Sequence, residues 1–225
     1  MPRRNSPELL DLEWRVGAIF QLGVVLLAAG ASSRMGRPKL LLPWGESTVL
    51  EHSLAEWRGL GTSQIALVIN PAHRPLVEKL DAIGFPESGR IHNANPEKEM
   101  FHSIRCAACW GGWTGELTHW AIVLGDQPLV RRETLRQLIA FARVNFERIC
   151  QPHCGGHRRH PVILPRRVFE QLKSTEHENL KCFLAARNDQ RAILDVEDPG
   201  LNLDLDVPAD YEKAWQLAFD HPPPA

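Results

Sequence analysis

The chain contains no apolar run approaching the roughly 20 residues that span a bilayer, so a membrane role is not expected. It also lacks an excess of either charge: 26 Lys+Arg stand against 27 Asp+Glu in 225 residues. Nucleic-acid binding through a basic surface is therefore excluded as a default, and any phosphate site must come from local placement of cations. The arginines near the N-terminus are followed by acidic residues and a tryptophan before any apolar stretch, unlike a secretory leader. A cytoplasmic protein is the expectation. Five cysteines, an odd number without a secretory signal, fit reduced thiols rather than a disulfide framework. No internal repeat is visible, and the one biased tract is the terminal HPPPA, expected as a tail at 220–225.

What is present is an alternation of short apolar runs with helix-like segments. Strands are expected at Gly23–Ala28, Gln64–Ile69, Arg90–Asn93 and His119–Leu124, the strongest as continuous apolar runs suited to burial on both faces. Helices are expected at Thr48–Arg58, Pro71–Ile83, Glu99–Cys109 and Arg132–Phe146, the last with Glu133 at its positive end. Such alternation predicts a doubly wound α/β domain whose strand C-termini share one edge, where ligands bind. Residues 1–22 read as an extension with a short helix near Pro7–Val16. A single domain is expected over 23–219: 23–147 binds nucleotide, and 148–219 faces the acceptor. In that last third, Gln151–Pro161 reads as irregular and Val162–Leu164 as a short strand. Pro165–Lys173, Glu178–Arg187 and Pro208–Phe219 read as helices.

The segment LAAGASSRMGRPK follows the first strand directly. It fits neither the P-loop nor the dinucleotide fingerprint: five residues separate Gly30 from Gly36, Arg37 follows where the P-loop needs Lys, and GxGxxG is absent. Small residues after a strand nevertheless let backbone N–H groups converge on an anion. Arg34 offers a planar fork to phosphate oxygens and Lys39 a mobile point charge. On composition alone, a glycine turn carrying solvated cations is an equal reading. Downstream, Gly125-Asp126-Gln127-Pro128 puts a carboxylate after a buried strand, either as a Mg²⁺ ligand or as the cap of a following helix. Asn202–Tyr211 places Asp204 and Asp206 on one face of an expected strand, with Pro208 opening a helix that Asp206 would cap.

The spacing of Leu27, Ala29, Gly30, Arg34, Met35, Gly36 and Lys39 resembles the signature of the MobA-like NTP transferase family, part of a superfamily that activates sugars, terpenoid precursors and molybdopterin. The resemblance covers roughly Val24 to Trp215. It implies a Rossmann-like three-layer α/β/α fold of the nucleotide-diphospho-sugar transferase type with a mostly parallel sheet. It also implies that Leu27, Ala28, Ala29, Gly30, Ala31, Ser32 and Ser33 wrap a nucleoside triphosphate. Arg34 would hold its β/γ-phosphates, and Lys39 would meet charge on the α-phosphate. Asp126 is then the metal-binding Asp, joined by Asp204 or Asp206 around Mg²⁺, with Gly125 beside the nucleotide. Asn95-Pro96 and Ser103-Ile104 resemble the region near the base, with Glu99 where a glycine is usual.

Gly155–Val162 resembles the GxxGHPV segment of molybdenum-cofactor cytidylyltransferases through His160, Pro161 and Val162, with Arg159 in place of glycine. The GDxGAR-like segment that usually follows has no counterpart in Glu176–Ala185. Gln127, Pro128, His160 and Pro161 are the acceptor-binding residues this resemblance implies. Ala29 and Gln127 match relatives that use CTP, where guanylyl relatives carry LAGG. The implied activity is CMP transfer from CTP to molybdopterin, with release of pyrophosphate. The implied partners are a molybdenum hydroxylase apoenzyme or its insertion chaperone. A guanylyltransferase, a sugar- or alditol-phosphate nucleotidyltransferase, and a non-catalytic pterin carrier are the alternatives. Cys106 and Cys109 lie on an expected helix and Cys150 and Cys154 are loosely spaced, so with the nearby histidines they read as ordinary thiols rather than a zinc site. The seven scattered tryptophans read as core or interface residues rather than base-stacking platforms.

Overall fold

The computed structural model describes residues 19–30, 32–96 and 98–223. The helix expected at Pro7–Val16 and Ala31 of the first loop lie outside the described residues. In chain order the strands are β1 (Leu22–Leu27), β2 (Pro43–Trp44), β3 (Ser47–Thr48), β4 (Gln64–Ile69), β5 (Arg90–His92), β6 (His119–Leu124), β7 (Ile149–Cys154), β8 (His157–Arg158), β9 (Val162–Pro165) and β10 (Arg191–Asp195). The α-helices are α1 (Val49–Arg58), α2 (Arg74–Ala82), α3 (Met100–Cys109), α4 (Arg132–Val144), α5 (Arg166–Gln171), α6 (Leu180–Ala185) and α7 (Pro208–Ala218).

Seven strands form one path, β10-β7-β9-β6-β1-β4-β5, and β8 pairs with β7 off it. β5, β4, β1 and β6 run parallel, as do β7 and β10, whereas β9 is antiparallel to both β6 and β7. The sheet is mostly parallel, and it continues without a break from the first half of the chain into the last third.

The continuous apolar runs have the cause anticipated from sequence. Along β1, Val24 and Leu26 enter one core with Leu67, Ala121 and Val123, and Val25 enters the opposite core with Val68 and Ile122. Helices α1, α2, α4 and α7 cover the first face through Leu54, Leu80, Leu138 and Trp215. Helices α3, α5 and α6 cover the second through Ile104, Phe169 and Phe183. A strand buried on both faces cannot afford polar alternation, so periodicity 2 disappears into one apolar run. The result is the three-layer α/β/α arrangement.

Helix boundaries fall a few residues inside several expected ones, for chemical reasons at the caps. Thr48 caps α1 in a reciprocal box: its hydroxyl accepts from the Glu51 N–H, and the Glu51 carboxylate accepts from the Thr48 N–H. Asn179 caps α6 by accepting from the Cys182 N–H. His73 caps α2 through Nδ1, so this helix starts at Arg74 rather than Pro71.

Two expectations in the last third are corrected. Gln151–Pro161 is not wholly irregular: its start belongs to β7, and Arg191–Asp195 is a further strand, β10. Pro and polar residues in ICQPHC mask the strand pattern, yet Ile149, Cys150, Gln151, Pro152 and Cys154 are all buried. Asp204 and Asp206 do not lie on a strand. Residues 203–206 form an irregular turn in which the Asp206 N–H bonds the Asp204 carbonyl. Asp206 does not cap the C-terminal helix either. Asp210 does so by accepting from the Asp206 and Val207 N–H groups. Among the described residues, no helix is long and apolar enough to cross a membrane.

Candidate active site

β1 and β6 are direct parallel neighbours with Leu27 opposite Leu124, so their following loops leave the sheet side by side. The approach is close. The Gly125 N–H donates to the Leu27 carbonyl at 3.3 Å, and a Cβ on Gly125 would stand 3.0 Å from that oxygen and 3.1 Å from Leu40. Only glycine fits that contact without displacing the loop. Helix α1 fixes the same turn from behind: Ser53 Oγ donates to the Gly125 carbonyl at 3.3 Å, and His52 Nε2 meets the Pro128 carbonyl at 3.1 Å.

The first loop turns at Ser32, whose φ of 51° lies in the left-handed region. Its hydroxyl accepts from the Lys39 N–H at 3.2 Å, which ties the far end of the loop to its start. Lys39 then projects to Asp126, in hydrogen-bond contact with Oδ2, and to Asp206 Oδ1 at 3.3 Å. Arg34, mostly exposed, meets Asp206 Oδ2 at 3.0 Å. The Leu205 N–H donates to the Asp126 carbonyl at 3.1 Å and Gln127 Nε2 donates to Asp204 Oδ1 at 2.6 Å, stitching the 203–206 turn beside the Gly125–Pro128 turn.

This network sets the local electrostatics. Burial on its own would push the Lys39 ammonium down, but Asp126 and then Asp206 outweigh it and hold Lys39 above its ordinary value. Asp204 is the converse. Burial, then the neighbouring Asp126 charge, raise its carboxyl above the usual range despite the Gln127 hydrogen bond. The His160 imidazole is lowered by burial against the opposing pull of Asp126, and its Nδ1 lies 3.2 Å from the Ile122 carbonyl.

A cavity of about 200 Å³ opens over the loop. Leu27, Ala28, Ala29, Gly30, Lys39, Ser103 and Asp126 line it, so seven residues anticipated at the nucleotide stand together. Among the described residues, a Cβ on Gly30 would meet nothing within 4 Å beyond its chain neighbours, so no packing there demands glycine and a ligand could approach closely. Ser33 lies exposed in the turn, and Gly125 is buried against Leu27 and Leu40. Asn95 is exposed and does not line the cavity. The buried amide nearby is instead Asn93, whose Nδ2 donates to Ser103 Oγ at 2.9 Å and whose Oδ1 accepts from the Asn95 N–H. Lys98 and Met100 also line the cavity, and neither was singled out in the sequence. Asn93 ends an expected strand at the ligand-bearing edge, a positional signal that was there to be read; Lys98 carried none.

On the acceptor side, Gln127 turns toward Asp204, while Pro128 and Pro161 are buried around a small pocket under α1. His160 alone of the four acceptor residues faces a larger cleft. Among the described residues, no three His, Cys, Asp or Glu side chains gather as a self-sufficient metal site, and Lys39 and Arg34 pair with the oxygens of Asp126 and Asp206. The donors still suit a hard divalent cation that takes one or two carboxylates and completes its shell with substrate phosphates and water. The raised Asp204 carboxyl beside two further aspartates is charge crowding that such a cation would relieve.

Residues 24–192 match the family model of the MobA-like NTP transferase domain. The molybdenum cofactor cytidylyltransferase of Escherichia coli K12 is 25% identical over 188 residues, spanning 83% of this chain and 92% of that protein. The bifunctional protein GlmU of Corynebacterium diphtheriae is 32% identical over 121 residues, 52% of this chain. The chain matches only about a quarter of the length of the GlmU relatives, 24% in that case. Among solved structures, Rv0371c from Mycobacterium tuberculosis H37Rv superposes with a TM-score of 0.68 at 26% identity, covering 89% of this chain and all of that one. Its manganese complex superposes with a TM-score of 0.62 at 25% identity, covering 87% and 98%.

Proposed function

The chain belongs to the MobA-like NTP transferase family and is an enzyme of the nucleotidyltransferase type, and on that premise we propose that it transfers CMP from CTP to the phosphate of molybdopterin. An oxygen of the acceptor phosphate forms a bond to the α-phosphorus of CTP, and the bond between that phosphorus and the α–β bridging oxygen breaks. Pyrophosphate leaves with the electron pair. The observation that carries the proposal is the joining of Lys39, Asp126, Asp206 and Arg34 in one ion-pair network, of which Lys39 and Asp126 line the cavity with Leu27–Gly30.

Catalysis in this reading is positioning and charge compensation, as is general for transfers at phosphorus. The raised basicity of Lys39 keeps it an ammonium throughout, able to exchange a carboxylate for a phosphate oxygen as charge builds. Arg34 is exposed and free to swing from Asp206 to the outer phosphates. Gly30 leaves room for the triphosphate to approach the backbone. Asp126, with Asp204 or Asp206, would hold Mg²⁺, which when bound supplies charge neutralisation at phosphate oxygens. Ala29 and Gln127 support CTP over GTP, as does the likeness to the Escherichia coli cytidylyltransferase. Product would pass to a molybdenum hydroxylase apoenzyme or its insertion chaperone.

The test is pyrophosphate release with each nucleoside triphosphate, with and without molybdopterin, for wild type and Asp126→Ala. CTP-dependent release that requires molybdopterin and collapses in the variant is the expected result. Greater release with GTP or with sugar phosphates would transfer the assignment to a sister enzyme. Absence of release with every pair would favour a non-catalytic pterin carrier.

A further inference from the structure

A cleft of about 790 Å³ lies between the β7–β8 hairpin, the 159–160 turn, α6 and β10. It borders the nucleotide cavity: Met100 lines both, and His160, on the wall of the cleft, is hydrogen-bonded to β6 near Asp126. Its charged lining is almost wholly cationic, from Arg158, Arg159, Lys181 and Arg191. Among the described residues, none of these four has a carboxylate within ion-pair distance. The one acid paired to the lining is Asp195, held by His153 Nδ1 at 2.6 Å.

Arg191 is the telling member. Only 8% of it is exposed, its guanidinium donates to the neutral Gln151 amide oxygen, and among the described residues its Nε has no partner. The Nε of Arg159 is likewise buried and unpartnered. Burial, then the nearby Arg158 charge, lower the Arg191 guanidinium from its ordinary value. Another buried arginine shows what this fold does when charge is merely structural. Arg90, at the far edge of the sheet, also has an unpartnered Nε, but its guanidinium meets Asp81 at 2.8 Å and Glu87 at 2.9 Å, so the difference lies in the carboxylates. A desolvated cation left unpaired is costly, and a cluster of them beside a reaction centre awaits a counter-charge.

We propose that Arg159 and Arg191, with Arg158 and Lys181 at the rim, form a subsite for a second anionic group on the acceptor, beyond the phosphate that attacks. The acceptor class is then a molecule anionic at both ends, and a sugar or alditol phosphate with only neutral hydroxyls at its far end is disfavoured. The anion subsite stands on the cleft itself; its assignment to the acceptor rests on the nucleotidyl-transfer reading.

The first arm of the test needs no turnover. Inorganic phosphate is titrated into the full ¹⁵N-labelled chain while the arginine Nε–H resonances are followed, with Arg159→Gln and Arg191→Gln providing the assignments. The Arg159 and Arg191 signals should shift saturably with one shared dissociation constant, and the Arg90 signal should stay still. A shift that grows without saturating, or equal movement at Arg90, overturns the subsite. The second arm is kinetic. Arg159→Gln, at a partly exposed position that spares the fold, should raise KM for the acceptor about ten- to a hundredfold, the range for one charge-assisted hydrogen bond, and leave KM for CTP within about twofold. An unchanged acceptor KM in an active enzyme overturns the acceptor assignment and leaves the transfer reading intact. A saturable phosphate shift in a chain that turns over nothing sustains the anion subsite and refutes the transfer reading.

Discussion

The two ends of the ligand-bearing edge treat positive charge in opposite ways. At the end built on β1 and β6, Lys39 and Arg34 are held by Asp126 and Asp206, so the cations are placed in advance and their charge is balanced. At the end built on β7, β9 and β10, Arg158, Arg159, Lys181 and Arg191 face a larger cleft with no carboxylate against them among the described residues. A balanced network favours geometry over affinity: an incoming phosphate must replace a carboxylate, so the net gain arises where charge develops. An unbalanced cluster favours affinity, since any anion relieves it. The first arrangement suits chemistry and the second suits holding.

Breaking the balanced end should have the largest effect. Lys39→Ala is expected to lower kcat by about 10²–10³, the scale for losing one preorganised charge-stabilising donor, with a smaller change in KM. Loss confined to KM would mean that Lys39 binds ground state and transition state alike. Adding Asp126→Ala should cost far less than a second factor of that size, because the two side chains act as one unit. Combining Lys39→Ala with Arg159→Gln should multiply the separate effects on kcat/KM, since they share no partner. Near-additive free energies for the first pair would dissolve the contrast between the two ends.

The strand β6 carries the same contrast along its own length, with Asp126 just beyond one end and His119 at the other. His119 is fully buried, with Nε2 2.7 Å from the Phe146 carbonyl and Nδ1 2.9 Å from Thr118 Oγ1. Burial takes its imidazole down to about 4 against the opposing hydrogen bond to Phe146. The unfolded chain therefore binds a proton that the folded chain refuses between about pH 6.5 and 4. Stability attributable to His119 is intact above that window and is lost as pH falls through it: about 2 kcal/mol by pH 5 and about 3 kcal/mol in full. Urea denaturation of wild type and His119→Gln at pH 7, 5.5 and 4.5 checks this. Parallel pH slopes for the two proteins would remove His119 as the cause.

The smallest effect separates glycines kept for the fold from those kept for the ligand. Gly125→Ala should destabilise by about 1–3 kcal/mol, the cost of overpacking, because its Cβ meets the Leu27 carbonyl and Leu40. Gly30→Ala should leave the thermal midpoint nearly unchanged yet weaken triphosphate binding, since among the described residues its Cβ meets nothing within 4 Å beyond its chain neighbours. Thermal melts with and without CTP compare the two. A large stability loss at Gly30 would contradict the open space above it.

How far the sequence reached differs between these regions. The loop from Leu27 to Lys39 and the turn at Asp126 were legible because residues close in sequence form each, and the apolar runs before them marked where they begin. Asn95, expected near the base, is exposed, whereas Asn93, two residues earlier, is buried and bonded to Ser103. Local spacing could not tell which of the two faces inward. β7 and β10 went unread because Pro152, Gln151 and His153 break the apolar pattern and their pairing is with each other across a long separation. Asp204 and Asp206 were expected together on a strand, whereas an irregular turn held by Asp126 and Gln127 brings them to the site.

The chain by itself determined the alternation of buried strands and covering helices, since burial on two faces leaves its mark on every residue of a run. It determined the small, cationic loop as well, since its glycines, serines and cations follow one another directly in the chain. Only the tertiary structure decided that Lys39 stands between Asp126 and Asp206, 87 and 167 residues away. It alone decided that Arg191 ends buried beside Arg158 with, among the described residues, no acid in ion-pair reach. Both outcomes follow from the order of strands in the sheet, which brings distant loops to one edge, and no local pattern encodes the charge of a neighbour that arrives from the far end of the chain.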